Sequence, residues 1–183
     1  MEKEKKVVDR NLYLIGDING TNLKDCIIAI NKFNMEDKHH AKIYKNYKRK
    51  PIKLFIQSFG GSVYDGFALV DIIINSKTPV YTYAIGMAMS MGLTIFSAGH
   101  RRFVYINTTL MYHELSSFNW VKLEGIKLDV LQMEVIQKKL DKIITTNTKV
   151  KQSVLDDYRN RKAEWYIESD EAIALGFAHK IKK

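Results

Sequence analysis

The sequence predicts an α/β fold with a mainly parallel sheet, and three observations carry that expectation. Short β-branched or aromatic runs end at glycine or at a small-residue turn: 11–15 before Gly16, 52–56 before Ser58-Phe59-Gly60-Gly61-Ser62, and 80–85 before Gly86. Apolar residues at helical spacing follow each of these runs. Strands that alternate with helices re-enter a sheet in the same direction, so parallel pairing follows.

Taken in order, 11–15 is the first strand. Leu23, Cys26, Ile27, Ile30 and Phe33 then mark a helix that Thr21 or Asn22 can cap. From Lys38 to Lys50 the chain carries Lys38, Lys42, Lys45, Lys48, Arg49 and Lys50 with no acid, interleaved with Tyr44 and Tyr47. This segment admits nucleic-acid contact or a solvated connecting loop. No zinc-finger, RRM or KH pattern accompanies it, which favours the loop. The second strand follows at 52–56. After it, Phe67, Leu69, Val70, Ile72 and Ile73 give a helix closed near Asn75.

Residues 78–100 contain no Lys, Arg, Asp or Glu, a length that could span a bilayer. Gly86, Gly92 and Gly99, with Thr82, Ser90, Thr94 and Ser97, instead favour a buried strand, a turn and a buried helix, and no membrane span is expected. Two short strands follow at 103–106 and 110–112. A long helix runs from about Leu123 to Thr146 with a wide stripe of Leu128, Leu131, Val135, Ile136, Leu140, Ile143 and Ile144. It is either a core helix or one that buries a side in another subunit. A shorter helix is expected from about Val154 to Lys162, and a last helical turn or two at 171–175 before Gly176.

Composition narrows the function classes. The 183 residues suit one domain, 1–183. The chain is 46% hydrophobic and 27% charged, far from disordered composition. Its single cysteine, Cys26, excludes an internal disulfide framework and a Cys-rich zinc site. Two prolines exclude a Pro-rich ligand segment. The charged start, Met1-Glu2-Lys3-Glu4-Lys5-Lys6, reads as no secretory leader, so a reducing, cytoplasmic setting is expected. There is no Walker lysine, GxGxxG or metal-ligand spacing, so neither a cofactor nor a metal is expected.

Three places could carry chemistry. In Gly86-Met87-Ala88-Met89-Ser90-Met91-Gly92, Ser90 stands where a strand ends and a helix begins. Free backbone N–H groups there favour developing negative charge, which suits a nucleophile; a buried turn serine is the other reading. The pair Gly60-Gly61 permits close backbone approach, for an oxyanion, a phosphate or simply a tight turn. His113 ends an apolar strand, as a general base or as a hydrogen-bonded edge residue. His39, His40, His100 and His179 compete with it.

Together, Phe59-Gly60-Gly61-Ser62-Val63, Ser90-Met91-Gly92, Met111-Tyr112-His113 and Glu171-Ala172-Ile173-Ala174-Leu175-Gly176 resemble the Clp protease proteolytic subunit (ClpP) family of serine peptidases. The corresponding family elements read SPGGSV, ASMG, MIHQ and EAxxxGL. The resemblance runs from about Arg10 to Lys180, interrupted by a basic insertion at 36–50. It implies a ClpP/crotonase-like ββα superhelix with a long handle helix at about 118–148. It implies Ser90 as nucleophile, His113 as general base, and the amides of Gly60 and Met91 as the oxyanion hole. The family's third triad member, an aspartate, falls seven residues before Glu171, where this chain has Glu164; Asp157 and Asp170 are the fallbacks.

The resemblance further implies heptameric rings stacked as a tetradecamer around peptide or unfolded-protein substrates, fed by an AAA+ unfoldase. Phe59 replaces the family proline, the segment before Val7 is shorter than the family's gating loop, and Lys53 stands at an apolar docking position, so unfoldase docking is expected to be altered. Other readings are a catalytically impaired structural or regulatory ring subunit, an acyl-CoA-binding crotonase relative, and a phage-type protease that matures capsid or scaffold proteins.

Overall fold

The computed structural model describes residues 9–116 and 123–183. Its central sheet is parallel in the order β1 (Asn11–Ile15), β2 (Ile52–Ser58), β3 (Val80–Met89), β4 (Arg101–Tyr105) and, at the far edge, β7 (Lys180–Lys182). The expected α/β class with mainly parallel pairing is what the chain adopts. β3 changes partner along its length: residues 81–84 pair with β4, and Met87, Ala88 and Met89 pair with β5 (Thr109–Tyr112). β6 (Trp165–Ile167) then adds to β5 antiparallel.

Helices α1 (Gly20–Ile43), α2 (Val63–Asn75) and α3 (Met91–Ser97) link successive strands. Leu54, Ile56, Ala84 and Ala88 of the sheet are fully buried, with Leu69 and Ile73 of α2 and Leu93 and Phe96 of α3. Alternate residues point to the other face, where Tyr13, Phe55, Tyr83 and Phe103 stack across four strands at centroid spacings of 5.2, 4.8 and 4.6 Å.

α4 (Leu123–Asn147) combines both readings of its stripe. Ile136, Leu140 and Ile144 are buried, whereas Leu128, Val130, Leu131 and Val135 are exposed. α5 (Gln152–Asn160) and α6 (Ser169–Ala174) complete the chain. Among the described residues no helix is long and apolar enough to cross a membrane.

Several boundaries differ from expectation. The cap of α1 is Asn19, whose side chain accepts the Asn22 amide at 2.9 Å, rather than Thr21 or Asn22. The helix also runs on to Ile43, so only the part of the basic segment from Tyr44 onward is loop. A buried carboxylate holds this extension. Asp37 accepts from Arg10 at 2.6 and 2.8 Å, from the Tyr47 hydroxyl at 2.5 Å and from Thr78 Oγ1 at 2.7 Å. β3 passes through Gly86 instead of stopping there. β6 and β7, three residues each, were not foreseen. The segment before Val7 and the start of the handle region, 118–122, lie outside the described residues.

The topology sets where chemistry can occur. β2, β3 and β5 run in parallel, and their C-terminal ends deliver Gly60, Ser90 and His113 to one side of the sheet, the usual location of sites in parallel α/β folds.

Candidate active site

Ser90 is held by backbone on both sides. Its N–H donates to the Met111 carbonyl at 2.9 Å, continuing the β3–β5 ladder by one residue. Its carbonyl accepts from Leu93 N–H at 3.0 Å and starts α3. The turn between strand and helix puts Ser90 at φ 53° and ψ −123°, a region side-chain-bearing residues avoid. Such a conformation costs about 1–3 kcal/mol and persists only where its surroundings enforce it.

A serine that merely capped its helix would bond a backbone N–H with its hydroxyl. The Ser90 side chain makes no capping bond. Instead Ser90 Oγ and His113 Nε2 are hydrogen-bonded at 2.8 Å. The two residues are 23 apart in sequence and meet because β3 and β5 are neighbours in register.

The glycine pair closes the site. A β-carbon at Gly60 would lie 2.7 Å from Ser90 Cβ and 3.1 Å from its Oγ, so only glycine lets the turn approach the serine. The two glycine amides, of which that of Gly60 is the expected oxyanion donor, differ in their hydrogen bonding. The Gly60 amide is already engaged, donating to Ser58 Oγ at 3.0 Å. Gly61 lines the cavity beside Ser90, and among the described residues its amide has no hydrogen-bond partner. Met91, the first residue of α3, lines the same cavity, and its N–H has no acceptor within the helix.

That cavity has a volume of about 210 Å³. Its walls are polar and apolar in about equal measure, with Val63, Met91, Leu115, Leu140 and Ile144 beside Thr94, Ser116 and Gln137. The expected elements do not include Gln137 or the α4 side of this pocket; only the helical stripe of Leu140 and Ile144 pointed toward it.

Glu164 stands one residue before β6. The β5–β6 register pairs Tyr112 with Trp165, so one further step would set Glu164 opposite His113. Its exposed carboxylate, however, accepts from the Tyr166 hydroxyl, and no hydrogen bond joins it to His113 among the described residues. Neither fallback is hydrogen-bonded to His113 among the described residues. Asp157 forms an exposed ion pair with Arg161 at 2.6 Å on α5, and Asp170 lies exposed in the first turn of α6.

Other candidates fall away on their surroundings. His100 Nδ1 accepts from Val80 N–H at 3.2 Å, and His179 Nδ1 accepts from Arg102 N–H at 3.0 Å, which are structural tasks at strand edges. Cys26 is buried, and burial pushes its thiol up to about 11, so it offers no competing thiolate. Among the described residues no group of three or more His, Cys, Asp or Glu is arranged to hold a metal.

A strained serine bonded to histidine, beside free amides and a pocket, is an arrangement for acyl transfer. The comparison with known proteins agrees. The Clp protease family model matches residues 18–183. The chain is 30% identical over 135 residues, 72% of its length, to the ATP-dependent Clp protease proteolytic subunit 2 of Treponema pallidum (strain Nichols), and the match spans 66% of that relative. With the match reaching from the turn ahead of α1 to the last residue, and with the fold and the order of its motifs in agreement, the chain belongs to the Clp protease family.

Proposed function

We propose that the chain is the serine endopeptidase subunit of a self-compartmentalising ring, with Ser90 as nucleophile and His113 as general base. The observation that carries this is the 2.8 Å hydrogen bond between Ser90 Oγ and His113 Nε2 at a serine held in a strained turn. With Nε2 unprotonated, Oγ–H donates to it. As Oγ attacks the substrate carbonyl, the proton passes to Nε2, and the C–O bond forms while the carbonyl becomes an oxyanion. Collapse expels the amine, which takes the proton from His113. Water then repeats the sequence on the acyl-enzyme. No nucleotide takes part in these steps.

The oxyanion donors in this reading are the amides of Gly61 and Met91, with Gly60 supplying space rather than a proton. Each donor is typically worth about 10²–10³ in rate. The cavity receives the side chain on the acyl side of the scissile bond, against its aliphatic wall of Val63, Leu115, Leu140 and Ile144. Burying a Leu or Met side chain there contributes about 1.5–3 kcal/mol. Peptides with Leu or Met at that position are therefore expected to be cleaved at least tenfold faster than those with Asp or Lys.

A fluorophosphonate probe tests the assignment. It should label wild-type protein at Ser90 and leave Ser90→Ala unlabelled; no labelling of either would overturn it. A second reading, a ring subunit with an impaired triad, is favoured by one observation: Glu164 is engaged by Tyr166 rather than by His113. In the active reading, Glu164 leaves Tyr166 and orients His113 when substrate or the assembled ring is present.

The ring itself, heptameric and stacked as a tetradecamer, remains part of the proposal, as do peptide or unfolded-protein substrates. So does an AAA+ unfoldase partner. Lys53 is exposed on β2 in line with Phe55, and the basic end of α1 lies just upstream, so its docking surface carries charge where apolar contact is expected.

A further inference from the structure

Asp141 of α4 is only 2% exposed, yet its carboxylate takes several donors. The Tyr112 hydroxyl donates at 2.9 Å, Gln137 Nε2 at 2.8 Å and Gln152 Nε2 at 2.8 Å, and Arg159 closes an ion pair with it. Gln137, one turn earlier on α4, accepts the Leu115 backbone N–H with its Oε1 at 2.7 Å. Tyr112 directly precedes His113, and Leu115 follows it by two residues. Both flanks of the histidine are thus tied to one buried carboxylate on a helix that packs against the core.

The His113 ring has no such support of its own. Among the described residues its only hydrogen-bond partner is Ser90. A ring held at one nitrogen keeps its position only as well as its backbone does. A general base displaced by about 1 Å loses rate by up to a hundredfold. The Leu115 amide could have been left to solvent, because Leu115 is only half-buried; a side chain from another element takes it instead.

We propose that Gln137 and Asp141 are positioning residues for His113: they form a latch on α4 that holds residues 112–115 so that the imidazole stays in register with Ser90. The proposal rests on the peptidase reading for its consequence in rate, but not for its consequence in the loop. Arg159 keeps the latch closed by neutralising Asp141. Burial works to lower the Arg159 pKa, but its hydrogen bond and charge pairing with Asp141 raise it above the usual value, so it stays charged throughout the physiological range.

The test uses Gln137→Met, which keeps volume and removes both hydrogen bonds, and Asp141→Asn, which lies outside the substrate cavity. Fluorophosphonate labelling, peptide hydrolysis and amide exchange of residues 110–116 are measured on the full-length assembled protein. In both variants, labelling rate and kcat should fall ten- to a hundredfold. KM should stay within about threefold in Asp141→Asn, and exchange at Leu115 should rise at least tenfold. Gln137→Glu supplies a rescue: its protonated carboxyl restores both bonds, so its labelling rate relative to wild type should be highest at acid pH and fall as the carboxyl ionises beside Asp141. Unchanged exchange overturns the latch, and so does faster exchange with labelling within twofold of wild type. If wild type itself is not labelled, the peptidase reading fails, and the exchange result still decides whether the loop is latched.

Discussion

A β-carbon at position 60 would stand 2.7 Å from Ser90 Cβ, on backbone that already holds φ at 117°. Gly60→Ala must therefore shift the serine, and fluorophosphonate labelling should fall at least a hundredfold while circular dichroism is unchanged; labelling within threefold would show that the two turns move independently. Glu164 presents the opposite case, a residue in the right register with the wrong partner. If it orients His113 during turnover, Tyr166→Phe removes its competitor and should leave kcat unchanged or raise it up to tenfold, whereas Glu164→Gln should lower kcat at least tenfold with the fold intact. Equal activity in Glu164→Gln and wild type would remove Glu164 from the mechanism. Ser90 and His113 could be paired from the sequence only through the order of motifs that resembles the Clp protease family, because each alone reads equally as a turn serine or an edge histidine. The Tyr166 contact was not legible there, because it depends on a side-chain rotamer at the rim of a three-residue strand.

At the scale of elements, periodicity found those whose apolar residues repeat, and missed those held by something else. β6 and β7 are too short to show alternation, and they exist because β5 and β4 offer them open edges. The basic stretch after Asp37 lacks an apolar stripe, yet α1 continues through it to Ile43. Its anchor is polar: the side chains of Arg10, Tyr47 and Thr78 converge on a carboxylate with no exposure. Burial would raise the Asp37 pKa, but these hydrogen bonds outweigh it and lower the value to about 2, from an ordinary 3.8. The folded state thus favours the ionised form, so the stabilisation is fully present above about pH 4 and is lost as pH falls through about 2. It amounts to roughly 2 kcal/mol. Asp37→Asn should lower the unfolding midpoint at pH 7 and should differ progressively less from wild type between pH 4 and pH 2. A constant difference across that range would mean that packing, not charge, holds the extension.

Among the described residues, α4 presents an apolar stripe without cover. On α4, Leu128, Leu131 and Val135 are 69%, 58% and 44% exposed, and their spacing of three and four places them on one side of the helix. From the next residue, Ile136, a different side of the same helix buries Ile136, Leu140 and Ile144 against its own core. The helix therefore packs one side on its own core and presents apolar residues on another. Solvated charge takes over the same side further along, at the exposed Lys138, Lys139 and Lys142, and Leu128, Leu131 and Val135 form an apolar stretch ahead of it. In the proposed double ring, such a stripe would mate with its counterpart on a second ring. Replacing Leu131 by Glu would bury a charge in that contact, at a penalty of several kcal/mol per ion, repeated once per subunit. If the wild type forms the proposed double ring, native mass measurement should then show it replaced by single rings or smaller species. Because the substitution lies two turns from the Gln137 latch, Ser90 labelling by a small fluorophosphonate should persist at a measurable rate. An unchanged double ring in Leu131→Glu would mean that α4 does not mediate stacking, and a monomeric wild type at micromolar concentration would remove the ring from the proposal altogether.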